Sequence, residues 1–115
     1  MTHARAATLL AVLALTVAAC GGGGIASQEP VATSTVNLPR SYLFDPAAIT
    51  VPAGTTVTWT NNDQFTHTVT FDGEDAQQMA PGESTTHDFT TPGTYHYVCS
   101  LHPQNMQGTV LVTAP

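Results

Sequence analysis

Cations are the first thing this chain lacks: 115 residues carry only two Lys or Arg against eight Asp and Glu. Nucleic-acid binding is excluded on that ground, because it draws its affinity from basic patches. Cysteine is nearly as scarce, with one residue near each end, Cys20 and Cys99. Internal repeats and stretches of helical periodicity are absent as well, which leaves β-structure as the means of burying a core. The longest apolar run, Ala6 to Ala19, is 14 residues. A helix that spans a bilayer needs roughly 20.

What that run does have is the layout of an export signal, with Arg5 before it and small residues after it. The residues "VAAC", Val17 to Cys20, resemble a bacterial lipobox, so residues 1–19 are expected to be cleaved before Cys20. Acyl chains on Cys20 would then anchor the protein to the outer face of a bacterial cytoplasmic membrane. The stretch "GGGGIASQEPVATST" is small, polar and aperiodic, so residues 20–35 read as a flexible tether. A single domain is expected over 36–115, at the small end of what buries its own core. Arg40 is the only cation left after cleavage, against the same eight carboxylates, which gives a formal net charge of −7. Long-range attraction to a basic protein partner suits that surface. If Cys20 carries the lipid, Cys99 has no disulfide partner and needs another purpose.

Short alternating runs rich in Thr, Val, Tyr and Phe, punctuated by Gly and Pro, predict an all-β sandwich or barrel. Strands are expected at 35–38, 49–51, 55–60, 67–71, 84–89, 95–99 and 108–113. The turn signals "PAG", "NND", "DGED", "APGE" and "TPG" separate them. Alternation assigns faces. Val57 and Trp59 share one face of their strand, His67, Val69 and Phe71 one face of theirs, and Tyr95, Tyr97 and Cys99 one face of a third. The Cys99 thiol is therefore expected to point inward at the end of a buried strand.

An inward thiol can be inert packing, since a free cysteine behaves as a small hydrophobe. Here, however, the segment "GTYHYVCSLHPQNMQGTVLV" places His102 three residues after Cys99 and Met106 four after that. Thiolate, imidazole and thioether form a soft donor set suited to copper, and two His, one Cys and a long axial Met describe a blue-copper electron-transfer site. A second histidine from another strand would complete it. His67, on an inward face, is the candidate.

In "FDPAAITVPAGTTVTWTNND", "THTVTF", "APGES", "PGTYHYVCSLHP" and "MQGTVLV" the sequence resembles the type 1 copper proteins of the plastocyanin and azurin kind, the cupredoxins. The resemblance covers nearly all of the expected domain. It implies a cupredoxin-like Greek-key β-sandwich of about seven or eight strands. It also implies one type 1 copper ion cycling between Cu(I) and Cu(II), with His67, Cys99, His102 and Met106 as metal ligands. The backbone carbonyl of Thr66 is implied near the copper. Packing by Phe65, Tyr97 and Leu101, with backbone donors to the Cys99 sulfur, is expected to tune the potential.

The functional expectation is a monomeric electron carrier, not an enzyme, that passes single electrons between a redox protein donor and acceptor in the bacterial envelope. Electrons would pass through the His102 ring, exposed at one edge among Leu101 and Pro103. A copper storage or delivery protein is the alternative, though such sites are rich in spare Met and His and this chain has few. Oxidases and nitrite reductases of related fold use His-x-His pairs at a second metal centre, and no such pair occurs. His87 and His96 read as structural or exposed. Met79, beside "APGE", reads as a loop residue near one end of the sandwich or as part of an apolar rim at the copper end. Asp72, Glu74 and Asp75 read as a solvated turn that can assist docking of a basic partner.

Overall fold

A computed structural model describes residues 29–115; the expected signal peptide, its cleavage site and the Cys20 lipid site lie outside the described residues. The described residues form nine strands and no helix: β1 (Val31–Ala32), β2 (Thr35–Leu38), β3 (Ala48–Pro52), β4 (Thr55–Asn61), β5 (His67–Phe71), β6 (Gln77–Met79), β7 (Ser84–Phe89), β8 (Gly93–Val98) and β9 (Gln107–Thr113). They build a six-stranded sheet in the order β1-β3-β9-β8-β5-β6 and a three-stranded sheet in the order β2-β4-β7. The expected all-β sandwich is therefore present, with more strands than anticipated.

Two elements differ from the sequence expectation. Val31 and Ala32, assigned to the tether, pair in parallel with Ile49 and Thr50. Ordered structure thus begins inside the stretch read as flexible, because two residues of edge pairing leave no hydrophobic period to detect. The second is β6. Gln77–Met79 pairs antiparallel with β5, setting Met79 opposite His67, so Met79 is a fully buried strand residue and not a loop residue.

Alternation fills the space between the sheets. Val36, Leu38, Val57, Trp59 and Phe89 come from the three-stranded sheet, and Ile49, Val51, Val69, Phe71, Tyr97, Val110 and Val112 from the other. The centre is aromatic. Trp59 meets Tyr97 edge to face at 5.3 Å and Phe71 at 6.0 Å between centroids, and Phe44 meets Tyr97 at 4.7 Å. Such pairs add roughly 0.5–1.5 kcal/mol beyond burial of their area.

Tyr97 sits so tightly that, among the described residues, its hydroxyl and the nearby indole N–H of Trp59 make no hydrogen bond of good geometry, even to each other. Burial raises the Tyr97 phenol well above its ordinary ionisation range. The ring lies against Gly108 of β9, where an added Cβ would stand 2.3 Å from Cζ and 2.4 Å from the hydroxyl oxygen. Gly108 is thus required for close approach. We expect Gly108→Ala to lose about 1–3 kcal/mol by overpacking. Tyr97→Phe, which removes an unpartnered buried hydroxyl, is expected to cost nothing measurable or to stabilise by up to about 1 kcal/mol. Urea unfolding of the two variants checks both signs.

Candidate metal centre

Strands β5 and β8 are neighbours, paired at Thr70–Val98 and Phe71–Tyr97. Beyond Thr70 and Val98 no further backbone pair is formed, and side chains take over the connection. The Thr68 hydroxyl accepts the Ser100 N–H at 2.8 Å, and the Thr68 N–H reaches the Cys99 sulfur at 3.4 Å. Where the pairing ends, two inward-facing side chains meet: Sγ of Cys99 lies 3.7 Å from Nδ1 of His67, and both residues are 0% exposed. Among the described residues Cys99 has no disulfide partner.

The loop from Cys99 to Met106 is closed by its own backbone. Cys99 N–H donates to the Met106 carbonyl at 3.0 Å, His102 N–H to the Cys99 carbonyl at 3.0 Å, and Met106 N–H to the His102 carbonyl at 3.0 Å. The turn therefore holds Cys99, His102 and Met106 on one short frame, with Met106 fully buried and His102 half-buried. The rings of His67 and His102 are 5.8 Å apart between centroids at an interplanar angle of 61°.

The far side of His67 is also specified. Its Nε2 lies 2.8 Å from Oδ2 of Asp63, and the two side chains are 0% and 4% exposed. A carboxylate only accepts, so Nε2 carries a proton, and in the neutral ring Nδ1 presents its lone pair toward Cys99. The other oxygen, Oδ1, accepts the Gln64 N–H at 2.7 Å. The Asp63 carboxyl is held below its ordinary range, first by the hydrogen bond from His67, against the opposing effect of burial, with further help from the Gln64 N–H and from the charge of Arg40. Asn61, 0% exposed at the end of β4, braces the turn: its Oδ1 accepts the Asp63 N–H at 3.0 Å, and its Nδ2 donates to the carbonyls of Phe65 at 2.8 Å and Met79 at 3.0 Å.

Above the imidazoles lies an aromatic rim. Tyr42, in the left-handed region at φ 53°, packs edge-on against His102 at 4.9 Å and His67 at 5.8 Å, and stacks on Phe65 at 5.7 Å. Phe65 and Leu101 are 54% and 51% exposed, so they stand at the rim of this end and not beneath it. Tyr97, named with them, belongs to the central aromatic core. His96 is exposed as expected, and His87 is half-buried beside Phe71 and Phe89 with Nε2 3.3 Å from Glu74.

Of the four residues singled out, the structure brings His67 and Cys99 into direct contact and stations His102 and Met106 on the adjoining turn. Among the described residues no three His, Cys, Asp or Glu side chains already enclose a metal-sized point. The donors nevertheless fit one soft ion. A thiolate at about 2.3 Å and an imidazole at about 2.0 Å, roughly 120° apart, place sulfur and nitrogen about 3.7 Å from each other. The observed 3.7 Å matches that span. Two imidazoles bound to one ion at about 2 Å have centroids up to about 6 Å apart, so His102 is within reach.

Asp63, Asn61 and Tyr42 escaped the sequence reading. "NND" reads as a turn, and an acidic residue four places before a histidine aligns with it only if the intervening loop folds back.

A family model described as a cupredoxin-like domain matches residues 6–112. The chain is 40% identical over 86 residues to a plastocyanin of Scenedesmus fuscus, covering 63% of this chain and 88% of that protein. It is 34% identical over 113 residues to amicyanin-alpha of Methylorubrum extorquens, covering 92% and 94%. A solved structure of the Cu(I) form of an amicyanin variant aligns with a TM-score of 0.62 at 33% identity, over 72% of this chain and 86% of that one.

Because Asn61 alone satisfies three backbone groups of the turn, Asn61→Ala leaves a buried set unpaired at about 1–3 kcal/mol for each group that water cannot reach. We expect a loss of at least about 3 kcal/mol by chemical denaturation, against less than about 1 kcal/mol for the exposed neighbour Asn62→Ala.

Proposed function

The chain belongs to the cupredoxin-like family, and from that premise we propose that it is a type 1 copper electron carrier whose ion is held by Nδ1 of His67, Sγ of Cys99, the His102 imidazole and the Met106 thioether. The observation that carries the reading is the 3.7 Å contact between Sγ and Nδ1, made by two fully buried side chains from distant strands. Copper, when bound, supplies a one-electron couple between Cu(I) and Cu(II).

The chain's own groups do the rest. Asp63 keeps the His67 proton on Nε2, so the nitrogen facing Cys99 is free to act as a donor. The Thr68 N–H donates to the Cys99 sulfur and fixes where that sulfur sits. Four protein donors leave no vacancy for a substrate, which favours outer-sphere electron passage over catalysis. The half-buried His102, beneath Tyr42 and beside the exposed Leu101 and Pro103, offers the shortest way between a partner and the buried donors. Storage or delivery is less well served, because His67, Cys99 and Met106 are all 0% exposed and a delivery site must surrender its ion readily.

Partners are a redox protein donor and an acceptor, met from the exported side of a bacterial membrane, with a lipid on Cys20 as anchor. The "VAAC" pattern and the negative formal charge support this placement and a docking surface attractive to basic proteins. Docking measured with a basic partner is expected to slow as ionic strength rises.

Addition of Cu(II) to the purified protein is the direct test. An intense blue thiolate-to-copper absorption is expected, lost in Cys99→Ser, together with reversible one-electron cycling by voltammetry. A colourless wild-type protein overturns the ligand assignment. Rapid loss of copper to a chelator without stable cycling turns the reading toward delivery.

A further inference from the structure

Nothing in the copper-ligand pattern itself calls for a carboxylate behind His67, yet one is built there with care. We propose that Asp63 is a positioning residue of the centre: its carboxylate fixes the tautomer and rotation of the His67 ring, and its buried negative charge biases the bound ion toward the oxidised state. The inference rests on the copper reading just given and extends it to a residue outside the ligand set.

Three observations carry it. The Nε2–Oδ2 contact is 2.8 Å between side chains 0% and 4% exposed, so water is no competitor for either atom. Asp63 is held at several points, with Oδ1 taken by the Gln64 N–H and its own N–H taken by the Asn61 side chain. Asn61 is in turn tied to Phe65 and to Met79, the residue opposite His67 on β6. The carboxylate therefore cannot rotate away without breaking the turn that connects β4 to β5. A hydrogen bond of this kind on the distal nitrogen of a metal-binding histidine orients the ring and raises its basicity.

The charge acts in addition to the geometry. Oxidation of the ion adds one positive charge, and a fixed anion on the far side of the imidazole favours that state most where the surroundings are poor in water. A role limited to bracing the turn would leave the redox equilibrium unaffected.

Asp63→Asn and Asp63→Ala in the full chain, with the wild type, separate these cases. In copper-free wild-type protein the His67 ring proton is expected on Nε2, with a nitrogen-bound proton resonance shifted downfield by a charge-assisted hydrogen bond. Both substitutions should move that resonance upfield. In copper-loaded protein Asp63→Asn should shift the equilibrium toward Cu(I) by about three- to tenfold, where tenfold corresponds to about 59 mV for one electron. A wild-type ring protonated on Nδ1 overturns the proposal, as does an unchanged potential in folded Asp63→Asn. If Asp63→Ala does not fold, the wild-type tautomer and the Asp63→Asn potential still decide. A wild-type protein that binds no copper defeats the functional reading alone, since the copper-free resonance tests the placement of Asp63 independently.

Discussion

Everything at the metal end depends on how β5 and β8 stop pairing. Their ladder runs through Phe71–Tyr97 and Thr70–Val98, and then the Thr68 hydroxyl and N–H replace backbone partners by binding Ser100 and Cys99. The gap left by the lost ladder is where Sγ of Cys99 and Nδ1 of His67 meet. A one-residue slip in this register would turn every side chain of one strand to the opposite face. The fixed points against slippage lie in the core, where Phe71 and Tyr97 both pack on Trp59. Hydrophobic packing thus sets the register, and the register sets the donor geometry.

Much of this could be read from the chain itself, because period-two alternation is a local signal. The limits of β2, β5 and β7 match the expected strands, and the faces assigned to Trp59, His67, Phe71, Tyr97 and Cys99 are the buried ones. Elements supported by long-range contact gave no such signal. The β1 and β6 strands are two and three residues long, and pairing with a neighbour defines them rather than any pattern of their own. Thr68 breaks alternation, at 3% exposure between two buried neighbours, because its polar atoms are used by Cys99 and Ser100 and need no solvent. Asp63 and Asn61 were invisible as site residues for a related reason. Asn and Asp in a turn ordinarily bond their own backbone, and only the fold shows that these two also bond His67 and Met79.

The position of Tyr42 has a similar origin. Asn37 and Asp45 exchange backbone hydrogen bonds at 2.8 Å in each direction, pinching the connection from β2 to β3 into a loop. From that loop Phe44 points into the core against Tyr97, while Tyr42, at positive φ, turns out over the imidazoles. A non-glycine residue in that conformation is uncommon, and such strain persists only where surrounding structure imposes it. Here the Phe44 anchor and the paired ends of the loop impose it, and the outcome is an aromatic cover over the only half-buried donor of the centre.

A redox site works best when its two charge states require little movement of the protein, and the distribution of hydrogen bonds here suits the role proposed above. His67 is gripped through Asp63, Cys99 through Thr68 and through its own N–H to Met106, and the turn bearing His102 and Met106 through carbonyls of the same turn. These bonds leave the Met106 thioether unengaged, put one long N–H on the Cys99 sulfur, and leave Nδ1 of His67 facing only that sulfur. The frame is therefore tied together by the chain's own backbone and side chains. For the electron carrier proposed above, rigidity at His67, Cys99 and Met106, with exposure confined to the His102 side, is the combination that transfer without substrate binding demands.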